Sequence, residues 1–368
     1  MFKNIFLIIV FSASTNYVFT QCNGRYNSDI FNNITVDENI NYSDVYSDIY
    51  HKIDVYTPSS DTATTRPLIL FMHGGSFSGG FKEQPDCIDF CTSFAKKGYV
   101  TASANYRYAD NPINFMLDQE LQYRTVLKSV ADIKSAVRYF KKDFVENGNS
   151  YGIDTNAIFV GGSSAGAIIA IHLAYIDDIA DLPNSPVDVQ SIANSLGGIA
   201  GDAGNNGYSD RVNGVISFAG GINNINWIDS SDEPLVSIQG DADVTVSYNC
   251  GPGLNIPTVL TLCGSGEMHP QADAEGLIND VLVYPGTGHD WFVSGNTNPK
   301  FIQALDFTTN FLYPILPCNN TTSIQTLSQE KEIIKVVNLL GQEVEESFNT
   351  PIFYIYKNGE VQKRILIR

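Results

Sequence analysis

Positive charge is scarce in this chain. Its 368 residues carry 22 Lys and Arg against 40 Asp and Glu, a formal net charge of −18. Affinity for nucleic acid comes from clustered cations that displace counterions from phosphates, so a nucleic-acid binder is excluded. Long apolar runs are missing too: none approaches the ~18 residues a membrane-crossing helix needs, so no integral membrane segment is expected. No Cys-x-x-Cys knuckle occurs and no His stands in ligand register beside Cys250 and Cys263, so the sequence predicts neither a metal site nor a cofactor. Internal repeats are absent. What the chain does have is 43% hydrophobic and only 17% charged residues, too much apolar material for disorder and enough for a sizeable core.

Charge is unevenly spread along the chain. Residues 319–368 hold six cations and six anions, with six of the chain's 13 Glu and none of its 27 Asp. This composition break predicts a separate module near Asn319. At the other end, Lys3 precedes an apolar run over 5–11 and a more polar stretch over 12–20, the layout of a secretory signal with cleavage after Thr20. The expected organisation is a signal over 1–20, a main domain over 21–318 holding 15 cations and 34 anions, and a tail over 319–368. Export places the protein outside the cell or on its surface, where six cysteines favour disulfides. Cys250 with Cys263 is the most plausible pair, across a Gly- and Pro-containing loop. An acyl anchor on Cys22 is a weaker expectation, because bulky Gln21 precedes it.

In the tail, strand-like runs at 332–340, 351–356 and 361–367, with Gly341 and Asn358-Gly359 as turns, predict a small all-β module. The stretches IKVVNLLGQEV and NTPIFYIYKNGEVQKRILI resemble the type A C-terminal sorting domain of the bacterial type IX secretion system. Asn338 and Gln342 depart from that family's usual acidic residue and Arg, and a central Gly is missing before Phe353. The resemblance implies that the tail is an address read by outer-membrane secretion machinery.

Between the ends, near-continuous apolar strands alternate with helical periods. Strands are expected at 67–72, 100–105, 157–160, 215–218, 235–238 and 281–284, and helices at 85–97, 122–145, 165–175 and 299–312. This alternation predicts an α/β fold, a mostly parallel, doubly wound sheet covered on both faces. Chemistry in such sheets collects just beyond the carboxyl ends of the strands.

Gly162-Ser163-Ser164-Ala165-Gly166 follows the 157–160 strand and opens a helix, the context of a strained turn that lifts a nucleophilic Ser above the sheet. Ser164 is the candidate nucleophile. After the 67–72 strand, His73-Gly74-Gly75-Ser76-Phe77 offers backbone amides to a substrate oxygen, so Gly75, Ser76 and Ala165 are the candidate oxyanion-hole donors. His73 reads as a brace for that loop. His289, in a Gly-rich loop after the 281–284 strand, is the candidate base, with His269 as its rival in a loop before a helix. His51, in an early hairpin, and His172, two turns along the nucleophile helix, read as surface or packing residues. The 235–238 strand ends in Gln239-Gly240-Asp241-Ala242-Asp243; Asp243 is the candidate acid, with Asp241 as the alternative.

Taken together, HGGSF, SANYR at 103–107, GGSSAG, QGDADVTVSY and GTGHDWF resemble the α/β-hydrolases of the carboxylesterase and hormone-sensitive-lipase-like type, over most of residues 45–315. Ser76 and Ser163 depart from that family's usual Gly and Asp. The resemblance implies a serine carboxylesterase with the chain order Ser164, Asp243, His289. The excursions at 110–118 and 177–213 do not look like a greasy lid, so short acyl groups are expected, with acetyl or feruloyl esters of extracellular polymers as the natural partners. A serine peptidase of the same fold is the enzymatic alternative, and a non-catalytic surface binding protein is the alternative outside enzymes.

Overall fold

The computed structural model describes Cys22, residues 24–319, 333–337, 344, 351–356 and 361–365. The expected signal, Gly341 and the Asn358-Gly359 turn lie outside the described residues. The chain divides into two compact units, Met1–Asn319 and Asn320–Arg368.

In the first unit, chain order runs β1 (Ile34–Asn41), β2 (Lys52–Pro58), β3 (Arg66–Met72), α1 (Pro85–Lys96), β4 (Val100–Ala104), α2 (Pro112–Leu117), α3 (Gln119–Glu146), β5 (Ile153–Ser163) and α4 (Ala165–Tyr175). It continues through α5 (Val189–Ser195), β6 (Val215–Phe218), β7 (Leu235–Gly240), β8 (Cys250–Pro252), β9 (Thr261–Cys263), α6 (Ser265–Glu275), β10 (Asn279–Tyr284) and α7 (Pro299–Ile315). Eight strands form one sheet in the order β1-β2-β4-β3-β5-β6-β7-β10. From β4 to β10 every neighbour is parallel, while β1 and β2 add an antiparallel edge.

The apolar run of β3 is buried at every position because both faces of the sheet are covered. Leu68, Leu70 and Met72 enter a core with Ile133, Val137 and Phe140 of α3 and the apolar residues of α4. Ile69 and Phe71 alternate to the other face, against Phe90 and Phe94 of α1 and Phe301 and Leu312 of α7. Phe71 and Phe90 stack there at 3.9 Å between ring centres. Each fully buried side chain of this kind contributes about 1.5–3 kcal/mol. Helix α3 starts three residues before the apolar period because Asp118 caps it, accepting from the amides of Glu120 and Leu121.

Two disulfides join Cys22 to Cys318 and Cys250 to Cys263, while Cys87 and Cys91 are buried free thiols. The first corrects the expected anchor on Cys22: a sulfur already bonded to Cys318 has no thiol left to acylate. It also ties the segment before β1 to the segment after α7. The second pins β8 to β9 at the base of a short loop.

In the second unit, β11 (Ile333–Val337), β12 (Pro351–Tyr356) and β13 (Val361–Ile365) form an antiparallel three-stranded sheet in that order.

Candidate active site

The order of the central strands gathers the candidate residues. Strand β5 delivers Ser164, its neighbour β3 delivers the 73–77 loop, and β7 and β10 deliver Asp243 and His289, all at the same sheet edge.

Ser164 sits at φ 53° and ψ −116°, a strained conformation between β5 and α4. The flanking glycines make that turn possible. A Cβ at Gly162 or at Gly166 would lie 2.5 or 2.2 Å from the carbonyl oxygen of Met72, so only glycine lets β3 and α4 pass this close to the turn. The Ser164 amide donates to the Phe218 carbonyl at 2.8 Å and fixes the turn to β6.

Ser164 Oγ lies 2.8 Å from His289 Nε2, and His289 Nδ1 lies 2.7 Å from Asp243 Oδ2. A carboxylate only accepts, so Nδ1–H donates to Asp243 and leaves the Nε2 lone pair for the Ser164 hydroxyl. Asp243 Oδ1 accepts from the amides of Thr245 and Val246, both at 2.9 Å, which aims the other oxygen at the imidazole. The Asp243 side chain is fully buried and the ring of His289 nearly so. Phe292 meets the His289 ring edge to face at 5.5 Å and holds its tilt.

Geometry separates the two carboxylates that the sequence left open. Asp241 is exposed and accepts from the Gly286 amide at 2.6 Å, bracing the histidine loop without touching His289. The rival base lies elsewhere. His269 is inside α6, not in a loop before a helix, and its Nδ1 bonds to Asn279 Oδ1 at 2.7 Å. Gly264, Gly266 and Pro270 give that segment a loop-like composition, yet the helix is held by Met268 and Ala272 packing into the core.

The 73–77 loop carries Gly75 at φ 133° and both Ser76 and Phe77 at φ 53°. Gly75 is obligatory, since a Cβ there would lie 2.0 Å from the Gly79 carbonyl oxygen. Among the described residues, the amides of Gly75, Ser76 and Ala165 donate no hydrogen bond. Ser76 and Ala165 border the same cavity as Ser164; Gly75 does not. The positive end of α4 also points at the Ser164 turn. His73 is fully buried, stacked on Tyr106 at 4.3 Å and bonded to the Gly74 carbonyl through Nδ1. Burial lowers its pKa to about 4, so it braces the loop as a neutral ring. Arg107, from the SANYR stretch, pairs with Asp132 and Asp202, and Asp132 also meets His51.

Two features escaped the sequence. Asp86, in the first turn of α1, hydrogen-bonds Ser163, the residue before Ser164. Burial, chiefly, raises its pKa from 3.8 to about 6. The second is a narrow apolar cavity beside Ser164, with a volume of about 90 Å³. Val126 and Leu127 of α3, Ile168 of α4, Ile176 just past α4, and Leu260 and Leu262 within the segment closed by Cys250–Cys263 form much of its wall. The excursions at 110–118 and 177–213, which do not read as a greasy lid, contribute Phe115, Leu182 and Val189 to the wall.

This architecture is the α/β-hydrolase fold. A sequence-family model designated BD-FAE matches residues 53–197, which hold Ser164 and the 73–77 loop but neither Asp243 nor His289. Among solved structures, the chain is similar to a truncated carbohydrate esterase from gut microbiota, at 19% identity over 77% of this chain and 98% of that one, with a TM-score of 0.56. It is also similar to a thermophilic esterase of Thermogutta terrifontis, Est2, with propionate bound, at 20% identity over 80% and 96% of the two chains and a TM-score of 0.51. A curated relative, the neuroligin-like protein glit-1 of Caenorhabditis elegans, is 31% identical over 125 residues. That match spans 33% of this chain but only 15% of the length of the relative.

Proposed function

We propose that this protein is an exported serine carboxylesterase. The observation that carries the reading is the unbroken relay Ser164–His289–Asp243, with Ser164 bordering an apolar cavity beside amides without partners. Ser164 Oγ attacks the ester carbonyl as His289 Nε2 takes its proton, and Asp243 stabilises the imidazolium. The tetrahedral oxyanion forms against the amides of Ser76 and Ala165, with Gly75 as the third donor; one such donor is worth about 3–4 kcal/mol of barrier. His289 then returns the proton to the leaving alcohol. Water, activated by the same imidazole, releases the acid from the acyl enzyme.

The cavity supports an acyl group with an apolar body, because its wall continues past Ser164 into apolar side chains. Esters on extracellular polymers remain the proposed natural substrates, and the tail is the proposed sorting address. A solved structure of this fold is named as a carbohydrate esterase, which supports the choice of polymeric esters. Ser164→Ala tests the reading: it should abolish labelling by a fluorophosphonate probe and lower p-nitrophenyl butyrate hydrolysis by about 10⁴-fold or more. Hydrolysis at the wild-type rate in that variant would refute it.

A further inference from the structure

The cavity runs alongside the nucleophile helix. Ile168 and His172, one turn apart on one face of α4, border it between Ser164 at the start of the helix and Ile176 just past its end. In this apolar wall His172 is the exception. It is 4% exposed, and its Nδ1 donates to the Ile168 carbonyl one turn back at 2.7 Å. Nε2 is therefore the bare acceptor of the ring, and it has no hydrogen-bond partner among the described residues. Trp227 cannot serve it: the Trp227 ring meets His172 edge to face, and its Nε1–H donates to the Asp181 carbonyl. The other polar residues of the wall differ. Gln122 is spent on the carbonyls of Phe115 and Thr258 and the amide of Leu260, and Tyr123, Asn223 and Thr245 are only half-buried.

We propose that His172 is a specificity-determining residue that accepts a hydrogen bond from a hydroxyl at the far end of an otherwise apolar acyl group. This rests on the serine esterase reading above. Eight residues separate Ser164 from His172, about 12 Å along the helix axis, and helical side chains lean toward the N-terminus and shorten the gap. An extended chain advances about 1.2 Å per bond, so the hydroxyl belongs roughly seven to nine bonds from the ester carbon. An ω-hydroxyalkanoyl group and a para-hydroxyaryl alkanoyl group both meet that description. Burial holds His172 near pKa 4, so at neutral pH the ring stays uncharged and Nε2 keeps its lone pair. A hydroxyl entering this cavity without such a partner would lose its water for nothing, so the same wall rejects it when His172 is removed.

The test compares kcat/KM for methyl 8-hydroxyoctanoate against methyl octanoate, and for methyl 3-(4-hydroxyphenyl)propanoate against methyl 3-phenylpropanoate. The ratio within one preparation is independent of how much enzyme is correctly folded. Wild type should favour the hydroxylated ester of at least one pair by about tenfold or more. The pair that responds tells whether the body is aliphatic or aromatic. His172→Phe should bring the ratio to one or below, His172→Gln should restore part of it, and Tyr123→Phe should leave it intact. A wild-type ratio of one or less in both pairs overturns the proposal and leaves the esterase reading standing. So does a preference that survives His172→Phe or disappears with Tyr123→Phe. Failure to hydrolyse any of the four esters, or p-nitrophenyl butyrate, overturns the esterase reading itself.

Discussion

Asp86 makes the stability of this protein depend on pH in a direction opposite to that of most acidic residues. Its carboxyl is 2% exposed and hydrogen-bonded to Ser163, with Asp89 adding a like charge nearby. Burial favours the protonated acid and raises its pKa from 3.8 to about 6. Between those values the native state holds a proton that the unfolded chain has lost, so stability falls as pH rises. That rise corresponds to about 3 kcal/mol. That contribution is fully present below about pH 4 and gone above about pH 6. Asp86→Asn should remove the dependence while an amide oxygen still accepts from Ser163.

The assay is urea unfolding of wild type and Asp86→Asn from pH 4 to pH 7.5, with both disulfides oxidised. Asp232 and Glu233, whose pKa values burial raises to about 7, change stability in the same window, but they are common to both proteins and cancel in the difference. Wild type should lose about 3 kcal/mol relative to the variant between pH 4 and pH 7. Parallel stability curves across that range would show that Asp86 ionises in the native state as it does in the unfolded chain, and the argument from its burial would fall.

Two further outcomes follow from the geometry of the site. Asp243→Asn should lower kcat by about 10⁴-fold, because an amide can no longer fix the Nδ1–H tautomer of His289, whereas Asp241→Asn should cost far less, since that carboxylate reaches only the Gly286 amide. Equal losses in kcat would refute the assignment of the acid. Opening the Cys250–Cys263 disulfide frees a loop closed over a separation of 13 residues, about 3 kcal/mol in the chain-entropy view, and Gly253, Leu254 and Val259 on that loop border the cavity. The double variant Cys250→Ser/Cys263→Ser should therefore unfold at lower urea and raise KM for p-nitrophenyl octanoate more than for p-nitrophenyl acetate; an equal change in both would separate the loop from acyl binding.

What the sequence made legible here is what backbone strain demands. The turn at Ser164 needs glycine on both sides because Met72 leaves no room for a Cβ, and that requirement is written as a five-residue motif. Strand ends are legible for a similar reason: a buried parallel strand is a short apolar run, and the residue after it is countable. Asp86 was not legible because its partner is 77 residues away and on a different element, so nothing near it in the chain marks the pairing. The cavity was hidden for the same physical reason. Its wall draws residues from α2, α3, α4, α5 and the β8–β9 loop, and each alone is indistinguishable from an ordinary core residue. His172 belongs to this class, and its apolar surroundings made packing the natural reading.

Helix α4 shows why packing alone does not account for that histidine. All eleven of its residues are buried, so it is a helix enclosed on every side rather than an amphipathic surface helix. At such a position Leu or Met would fill the space without placing a polar atom on the cavity wall. Tyr175, the other polar side chain on this helix, resolves the problem by donating to the Glu233 carbonyl. His172 satisfies one nitrogen on its own helix and leaves the second toward the cavity. A hydroxyl bound there meets an acceptor where an apolar wall would offer none, and binding energy released two turns from Ser164 discriminates between acyl groups whose reacting ester bonds are identical.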